Sequence, residues 1–175
     1  MWADDEKMQA LILYVSERCR TAPFFGKTKL NKILFYSDFA AFGEWGRPLT
    51  GLEYCKYTHG PVAPQVDELV ADLCRKGKAT LEERLIADFA EIRVSPTREF
   101  RGAGLTANER SLADRYIDQF WNQPAGVVSD LSHDFIGWRA AAMGERIPYE
   151  TMLLDFSPVT PEEDRWMLQI LADGR

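Results

Sequence analysis

The chain has 175 residues, of which 46% are hydrophobic and 27% charged, and its formal net charge is −6. These proportions are typical of a globular protein with its own core, and they exclude a disordered or fibrous chain. The whole charge excess lies in residues 105–175, which carry 6 basic and 12 acidic side chains. A negative field of this kind repels nucleic acid and favours a basic protein partner.

The sequence carries no signal for a membrane or for secretion. No apolar run reaches the roughly 18–20 residues that a membrane span requires. Residues 1–6 are acidic, whereas a secretory signal begins with basic residues. Three cysteines without close pairing, Cys19, Cys55 and Cys74, favour a reduced compartment. We therefore expect a cytoplasmic protein with one domain over residues 1–175.

Hydrophobic spacing predicts two helices in the first part of the chain. The first runs from about residue 4 to residue 20, with apolar side chains at i, i+3, i+4 and i+7. The second, over about 27–45, is apolar on nearly all sides, which predicts a buried central helix. Lys27, Lys29 and Lys32 cluster at its start, where the helix dipole is unfavourable for cations. They have acidic partners or form a solvated rim, and the sequence leaves both open.

A Gly-Pro pair at Gly60 and Pro61 predicts a turn, since Pro61 fixes its own φ and restricts the preceding residue. In a structural interpretation, Pro61 and Pro64 start a third helix over about 62–76 and Tyr57 packs on the second helix. In a functional interpretation, His59 and the free amides after Gly60 form a small patch that favours anions. For His59 both interpretations stay open.

The rest of the chain is predicted to be one hairpin followed by helices. Alternating runs at 80–86 and 89–95 predict the hairpin. Capping boxes begin at Thr106 and Thr160. Helical patterns follow over residues 106–120, 125–135, 136–143 and 160–172. The predicted fold class is mainly α, a compact multi-helix single domain with one small β-hairpin.

Residues with catalytic chemistry are sparse. Ser129, Asp130 and His133 lie within five residues and suggest a hydrolase. On a helix, however, Asp130 and His133 would simply pair on one face, and no nucleophile elbow accompanies them. No metal-ligand or phosphate-binding motif occurs. We expect no enzymatic activity, no metal and no cofactor, with the hydrolase as the weakest alternative.

A DNA-binding regulator is the second alternative. A helix over 62–76 followed by a hairpin over 80–95 has the element order of a winged helix, and basic residues decorate both. Acidic residues occupy the same surfaces, including Asp67 and Glu68 on the helix. Because phosphate contacts dominate affinity for DNA, these acids disfavour nucleic acid as a partner.

Several segments together resemble the Panacea domain of SocA-like antitoxins. They are KLNKILFYSDF at 29–39, GRPL at 46–49, YTHGPV at 57–62, and LSH at 131–133 followed by Trp138. The resemblance spans roughly residues 8–150. It departs from the family pattern at Thr58 and His59, which widen the usual YGPV. It also departs at Phe35, which stands beside Tyr36 where two tyrosines are usual.

The resemblance implies a mainly α-helical domain found in bacteria and phages. Its members neutralise a partner toxin by direct contact, often from a two-gene operon, and have no established enzymatic residues. We therefore expect an antitoxin whose partner is a protein toxin encoded by the adjacent gene. The residues expected in the motif or at the interface are Lys29, Lys32, Tyr36, Tyr57, His59, Gly60, Pro61, Val62 and His133. The acidic last third of the chain is the alternative interface.

Overall fold

A computed structural model describes residues 4–86 and 89–154. In chain order these residues form α1 (Asp5–Arg18), α2 (Lys27–Trp45), β1 (Cys55–Tyr57), β2 (Gly60–Val62), α3 (Gln65–Arg75), β3 (Ala79–Ile86), β4 (Phe89–Pro96), α4 (Ala107–Phe120), α5 (Ala125–His133), α6 (Ile136–Ala140) and a 3₁₀ helix (Tyr149–Leu153). The predicted mainly α fold is confirmed. In this part of the chain, no helix is long and apolar enough to cross a membrane.

Helix α2 lies at the centre of the fold. It contacts α1, α4, α5, β2, β4 and the 3₁₀ helix. Its residues are buried almost continuously from Lys29 to Ala41, as a helix that is apolar on nearly all sides requires. Aromatic rings fill one side of it: the ring centroid of Phe39 lies 4.5 Å from that of Phe35 and 4.6 Å from that of Tyr149. The prediction of a buried central helix is confirmed.

The predicted hairpin and the capped helix α4 are also confirmed. Strands β3 and β4 pair antiparallel, in a register that runs from Ala79 opposite Pro96 towards the tip. At the start of α4, Thr106 Oγ1 accepts a hydrogen bond from Glu109 N, and the Glu109 carboxylate accepts one from Thr106 N. The helix predicted over 160–172 lies outside the described residues.

The third helix begins later than predicted: Pro64 stands directly before it as expected, but the expectation that Pro61 also starts it is wrong. Gly60–Val62 forms strand β2, which pairs antiparallel with β1, and α3 begins only at Gln65. The φ of Gly60 is +91°, which is not helical, and the chain reverses at Thr58 and His59. Pro61 is tolerated because each strand of a two-stranded sheet is an edge strand. A second small hairpin therefore accompanies the predicted one.

A buried carboxylate fixes the loop that follows α2. Asp38 is fully buried and accepts hydrogen bonds from Thr50 N and Thr50 Oγ1 at 2.6 Å each and from the Tyr54 hydroxyl at 2.8 Å. Burial raises the pKa of Asp38, and these hydrogen bonds act in the opposite direction. A charge in this position is tolerated only because its oxygens are satisfied.

We predict that Asp38→Ala strongly destabilises the protein. The change leaves the Thr50 amide and the Tyr54 hydroxyl buried without their acceptor. The free energy of unfolding, measured by urea denaturation, should fall by about 3 kcal/mol. The control is Glu99→Ala, which removes a largely exposed carboxylate and should change the value by less than about 0.5 kcal/mol. A loss at Asp38 as small as that at Glu99 would contradict the role assigned to this carboxylate.

Candidate functional site

The hairpin formed by β1 and β2 is held from one side by polar side chains of α2. Lys32 Nζ donates a hydrogen bond to the carbonyl oxygen of Pro61 at 2.8 Å. Asn31 Oδ1 accepts one from the amide of Ala63 at 3.3 Å. Both contacts reach the main chain of the segment that leaves the turn. The position of this segment is therefore fixed by two polar residues of an otherwise apolar helix.

Helices α5 and α6 hold the same hairpin from the other side. Ser129 Oγ donates to the carbonyl oxygen of His59, and Trp138 Nε1 donates to that of Tyr57 at 3.2 Å. Ser132 Oγ in turn donates to the carbonyl oxygen of Ser129 at 2.5 Å. We call the four side chains that contact the hairpin main chain the clasp: Asn31, Lys32, Ser129 and Trp138. The clasp fixes the backbone of the turn without using any of its side chains.

Gly60 is the point where the turn approaches the helices most closely. Its φ of +91° lies in the left-handed region, which side chains other than hydrogen disfavour. A Cβ atom at this position would lie 2.7 Å from Lys32 Nζ and still closer to Ser132 Oγ. Only glycine therefore fits between α2 and α5. The structural role favoured for Gly60 from the sequence agrees with this geometry.

Two of the three lysines at the start of α2 differ from both expectations. Lys29 and Lys32 are each 1% exposed, so they are neither a solvated rim nor surface residues that a partner could reach. Lys29 Nζ donates to the carbonyl oxygens of Trp121 at 2.9 Å and of Pro23 at 3.3 Å. Burial lowers the pKa of Lys29, and it lowers the pKa of Lys32 to about 8.

The expectation of acidic partners holds for only one of the three lysines. Lys27 forms an ion pair with Asp67 at 2.5 Å. Within residues 4–86 and 89–154, neither Lys29 nor Lys32 forms an ion pair. Carbonyl oxygens satisfy these two ammonium groups instead. The expectation fails for Lys29 and Lys32 because a long side chain can extend to main-chain acceptors that sequence spacing does not show.

The side chains of the turn point outward while its main chain is held. Tyr57 is 42% exposed, and Thr58 and His59 are exposed as well. That Tyr57 packs on α2 as an anchor stays a prediction: its side chain lines a cavity together with the start of α2. Val62 is half-buried. We call residues 57–59 the turn tip.

Tyr36 does not belong to the turn tip or to the clasp. Its ring stacks on Tyr116 of α4 with 5.5 Å between ring centroids and lies 5.1 Å from that of Phe120. Burial raises the pKa of Tyr36 to about 12. Tyr36 is therefore a packing residue of the α2–α4 contact.

His133 supports the clasp through an aromatic contact. Its ring stacks on Trp138 with 4.2 Å between centroids, and Lys56 Nζ lies 4.4 Å from the centre of the same indole. The Nε2 atom of His133 is buried and has no hydrogen-bond partner among the described residues. These contacts orient the indole whose N–H binds the Tyr57 carbonyl.

The hydrolase alternative has no geometric support. Ser129 Oγ donates to the His59 carbonyl, Asp130 is exposed, and the His133 ring is stacked on Trp138. Across the described ranges, no hydrogen bond joins these three candidate residues into a relay, which a Ser-His-Asp site requires. Nor do three or more His, Cys, Asp or Glu side chains come together there in a way that could hold a metal ion.

In the structure, most of the basic side chains that the DNA-binding alternative requires are buried or form ion pairs within the protein. Arg93 of strand β4 is buried and donates to the carbonyl oxygens of Arg20 at 2.9 Å and of Ala22 at 3.0 Å. On α3, both Arg75 and Lys76 form ion pairs with Asp72. These side chains are already engaged within the protein. They are poorly placed to neutralise phosphates.

The turn tip lies between two cavities. One, of about 440 Å³, is lined by Tyr57 and Thr58 together with the start of α2. The other, of about 650 Å³, adjoins His59 and separates β4 from α5. We call the larger cavity the β4–α5 groove; its lining includes Phe24, Lys27, Ala90, Ile92, Ala125 and Asp130.

Sequence reasoning missed most of the clasp. Asn31 and Lys32 can be noticed in the sequence, since they are polar residues in a helix that is otherwise apolar on nearly all sides. For Ser129 the sequence suggests only a candidate nucleophile, and for Trp138 only membership of a segment that resembles the family. Their partners are main-chain carbonyl groups of residues 70 and 81 positions away, which no local pattern reveals.

A family model described as "Antitoxin SocA-like, Panacea domain" matches residues 30–139. The chain belongs to this family. The match runs from α2 into α6 and includes all four clasp residues, and it confirms the resemblance noted in the sequence. Neither the curated proteins nor the solved structures compared with this Panacea-domain chain give a match. The matched range thus contains the residues that build and hold the central hairpin.

We predict that Gly60→Ala is far more destabilising than the same change at another left-handed glycine. Gly46→Ala is the matched control, because Gly46 has a φ of +69° but no atom within 4 Å of the added methyl group. The control should lose about 1 kcal/mol from backbone strain alone. At Gly60 the methyl group also collides with Lys32 and Ser132, so the loss should exceed about 3 kcal/mol.

Thermal or urea unfolding of both glycine variants measures the difference. Equal losses at Gly60 and Gly46 would show that the close approach of α2, α5 and the turn is not maintained in solution. Far-UV circular dichroism verifies that each variant retains its helices before the comparison is made.

We predict that the buried charge of Lys32 makes stability depend on pH. Burial lowers the pKa of Lys32 from 10.5 to about 8, so between these values the unfolded chain binds more protons than the folded protein. Stability therefore rises with pH through this window, and below it the full cost of the buried ammonium is present. Relative to Lys32→Met, the wild type should gain about 2 kcal/mol between about pH 7 and about pH 10.

The measurement is urea denaturation of both proteins at the two pH values. Lys78→Met is the matched control, since it makes the same change at an exposed lysine. If the wild type gains as much against this control as against Lys32→Met, the gain does not come from the buried ammonium.

Proposed function

We propose that this protein is an antitoxin that binds a partner toxin directly and holds it inactive, without catalysing a reaction. The observation that carries the proposal is the family match over residues 30–139, because the family is named for antitoxin function. Ser129 and His133 are engaged in other contacts and Asp130 is exposed, which supports a binding role. We place the partner in the same cytoplasm and expect the adjacent gene to encode it.

The turn tip is the part of the motif region that we propose contacts the toxin. Tyr57 and His59 are exposed, and the clasp fixes their main chain from two sides. A loop that is already ordered loses little conformational entropy on binding. Tyrosine is also enriched among residues that dominate binding energy. In this proposal, Gly60 and Pro61 position the tip and do not themselves touch the partner.

The remaining motif residues act from behind the surface. Lys32 and His133 support the turn, the first directly and the second through Trp138, while Lys29 and Tyr36 stabilise the packing of α2. The net charge of −6 favours a basic toxin and would accelerate its association at low salt. In this proposal, the tip residues therefore determine which toxin is bound, and the overall negative field increases the rate at which the toxin associates.

We predict that expression of the adjacent gene's product alone arrests bacterial growth and that co-expression of this protein restores it. The purified toxin should form a stable complex with the wild-type chain. Tyr57→Ala should weaken the complex by about tenfold or more, because an exposed aromatic anchor is lost. Isothermal titration calorimetry measures the dissociation constant, and colony counts measure the rescue.

Arg101→Ala is the control for this experiment, since it truncates a highly exposed side chain that lies outside both cavities at the turn. It should rescue growth as well as the wild type does. A neighbouring product that is not toxic and does not bind would contradict the proposed function.

A further inference from the structure

We propose that the β4–α5 groove is the main docking site for the toxin and that it receives an apolar segment of the toxin flanked by basic residues. The inference rests on the proposed antitoxin function and adds to it the surface and the chemistry of the bound segment. It follows from three features of the groove: one wall with uncovered apolar side chains, a facing wall on α5 that leaves room for an incoming side chain, and a rim whose unpaired charges are negative.

The first wall belongs to an apolar sheet face that is covered at one end only. Residues opposite one another in an antiparallel pair point to the same side of the sheet. The register places Leu81 opposite Val94, and Leu85 opposite Ala90, so these residues share a face with Ile92. Val94 is buried near the base of the hairpin, whereas Leu85 is 80% exposed further out.

The second wall is α5. Ala125 and Asp130 of this helix line the groove. Gly126 lines it as well, and a Cβ atom added there would have no atom within 4 Å, so this wall leaves room for an incoming side chain. On the opposite side of the groove, the apolar side chains of Phe24 and Ile92 are exposed. Exposed apolar side chains concentrated in this way mark surfaces that bind a partner.

The charges at the rim indicate what kind of segment fits. Lys27 is neutralised by Asp67, and Glu91 pairs with Arg93 at 3.1 Å. Asp130, by contrast, is exposed and forms no ion pair with any described residue. Once these ion pairs are taken into account, the net charge of the side chains that line the groove is therefore negative.

The hairpin wall carries the same sign. Glu83 lies opposite Ile92 on the apolar face; it is exposed and has no ion-pair partner in the described part of the chain. A second copy of this chain, with a net charge of −6, would bring like charge to this rim. Basic residues on either side of an apolar anchor complement the rim, and they also steer association.

The groove is large enough for anchoring side chains. Its volume of about 650 Å³ lies within the range of about 300–1,000 Å³ that is typical of ligand pockets. His59 of the turn tip lies on its border, so the groove and the tip form one continuous surface. The toxin segment would lie along α5 and contact the tip at one end.

The test measures the affinity of purified toxin for variants that place a carboxylate on each wall. Phe24→Glu and Ile92→Glu alter the side opposite α5, and Gly126→Glu alters α5. All three residues line the groove and are exposed, so the changes should leave the fold intact. Each should raise the dissociation constant by about tenfold or more. The matched control is Leu153→Glu, at an exposed leucine of the 3₁₀ helix, and it should change the constant by less than about twofold.

The charge component is tested separately with Asp130→Lys. Association with the toxin should slow, and the dependence of the association rate on salt should weaken, because rim charges act mainly on encounter. Amide hydrogen exchange of the wild-type complex provides a readout without any substitution. Protection should increase at residues 90–92 and 124–131.

The outcomes separate this inference from the proposed function. If the wild type neither binds the toxin nor rescues growth, both are wrong. If the wild type binds and all three groove variants bind equally well, or if protection lies elsewhere, the groove assignment is wrong and the antitoxin function stands. If sedimentation shows a wild-type dimer that Ile92→Glu dissociates, a second copy occupies the groove and the inference is overturned.

Discussion

The need to satisfy polar side chains on a fully surrounded helix determines how the rest of the protein is arranged around α2. Asn31, Lys32 and Asp38 are buried in an apolar environment where an unpaired amide, ammonium or carboxylate would be very unfavourable. Each of them is satisfied by the main chain of a segment that follows α2, at Ala63, Pro61 and Thr50. The positions of the segments after α2 are thus fixed by the hydrogen bonds that buried polar side chains of α2 require, as much as by hydrophobic burial.

This arrangement explains why the motif residues of the family are mostly inside the molecule. Lys32, Gly60 and Ser132 meet where the hairpin passes between α2 and α5, and Trp138 closes the same contact from α6. The surface that we propose contacts the toxin lies immediately outside this junction, at the turn tip and the β4–α5 groove. A strong sequence signature therefore marks the support of the candidate site and not the surface that we propose a partner touches.

Much of the helical framework could be predicted from local pattern, and most of the site could not. The apolar periodicity of α2 and the capping box at Thr106 are local signals, and both led to the correct element. The Gly60–Pro61 pair suits both a helix start and an edge strand. Pairing with residues 55–57 decides between them, and this is non-local information. The same holds for Lys29, whose nearest acceptor belongs to Trp121, a residue 92 positions away.

The clasp binds only backbone groups of the central hairpin, and this has an evolutionary consequence. Replacement of Tyr57, Thr58 or His59 leaves the four stabilising hydrogen bonds in place, because they end on carbonyl and amide groups that every such sequence retains. Selection can therefore diversify the exposed tip with little effect on folding. If the tip contacts the toxin as we propose, substitutions at these three positions can change which toxin is bound, in the way that variable loops on a constant framework change binding specificity.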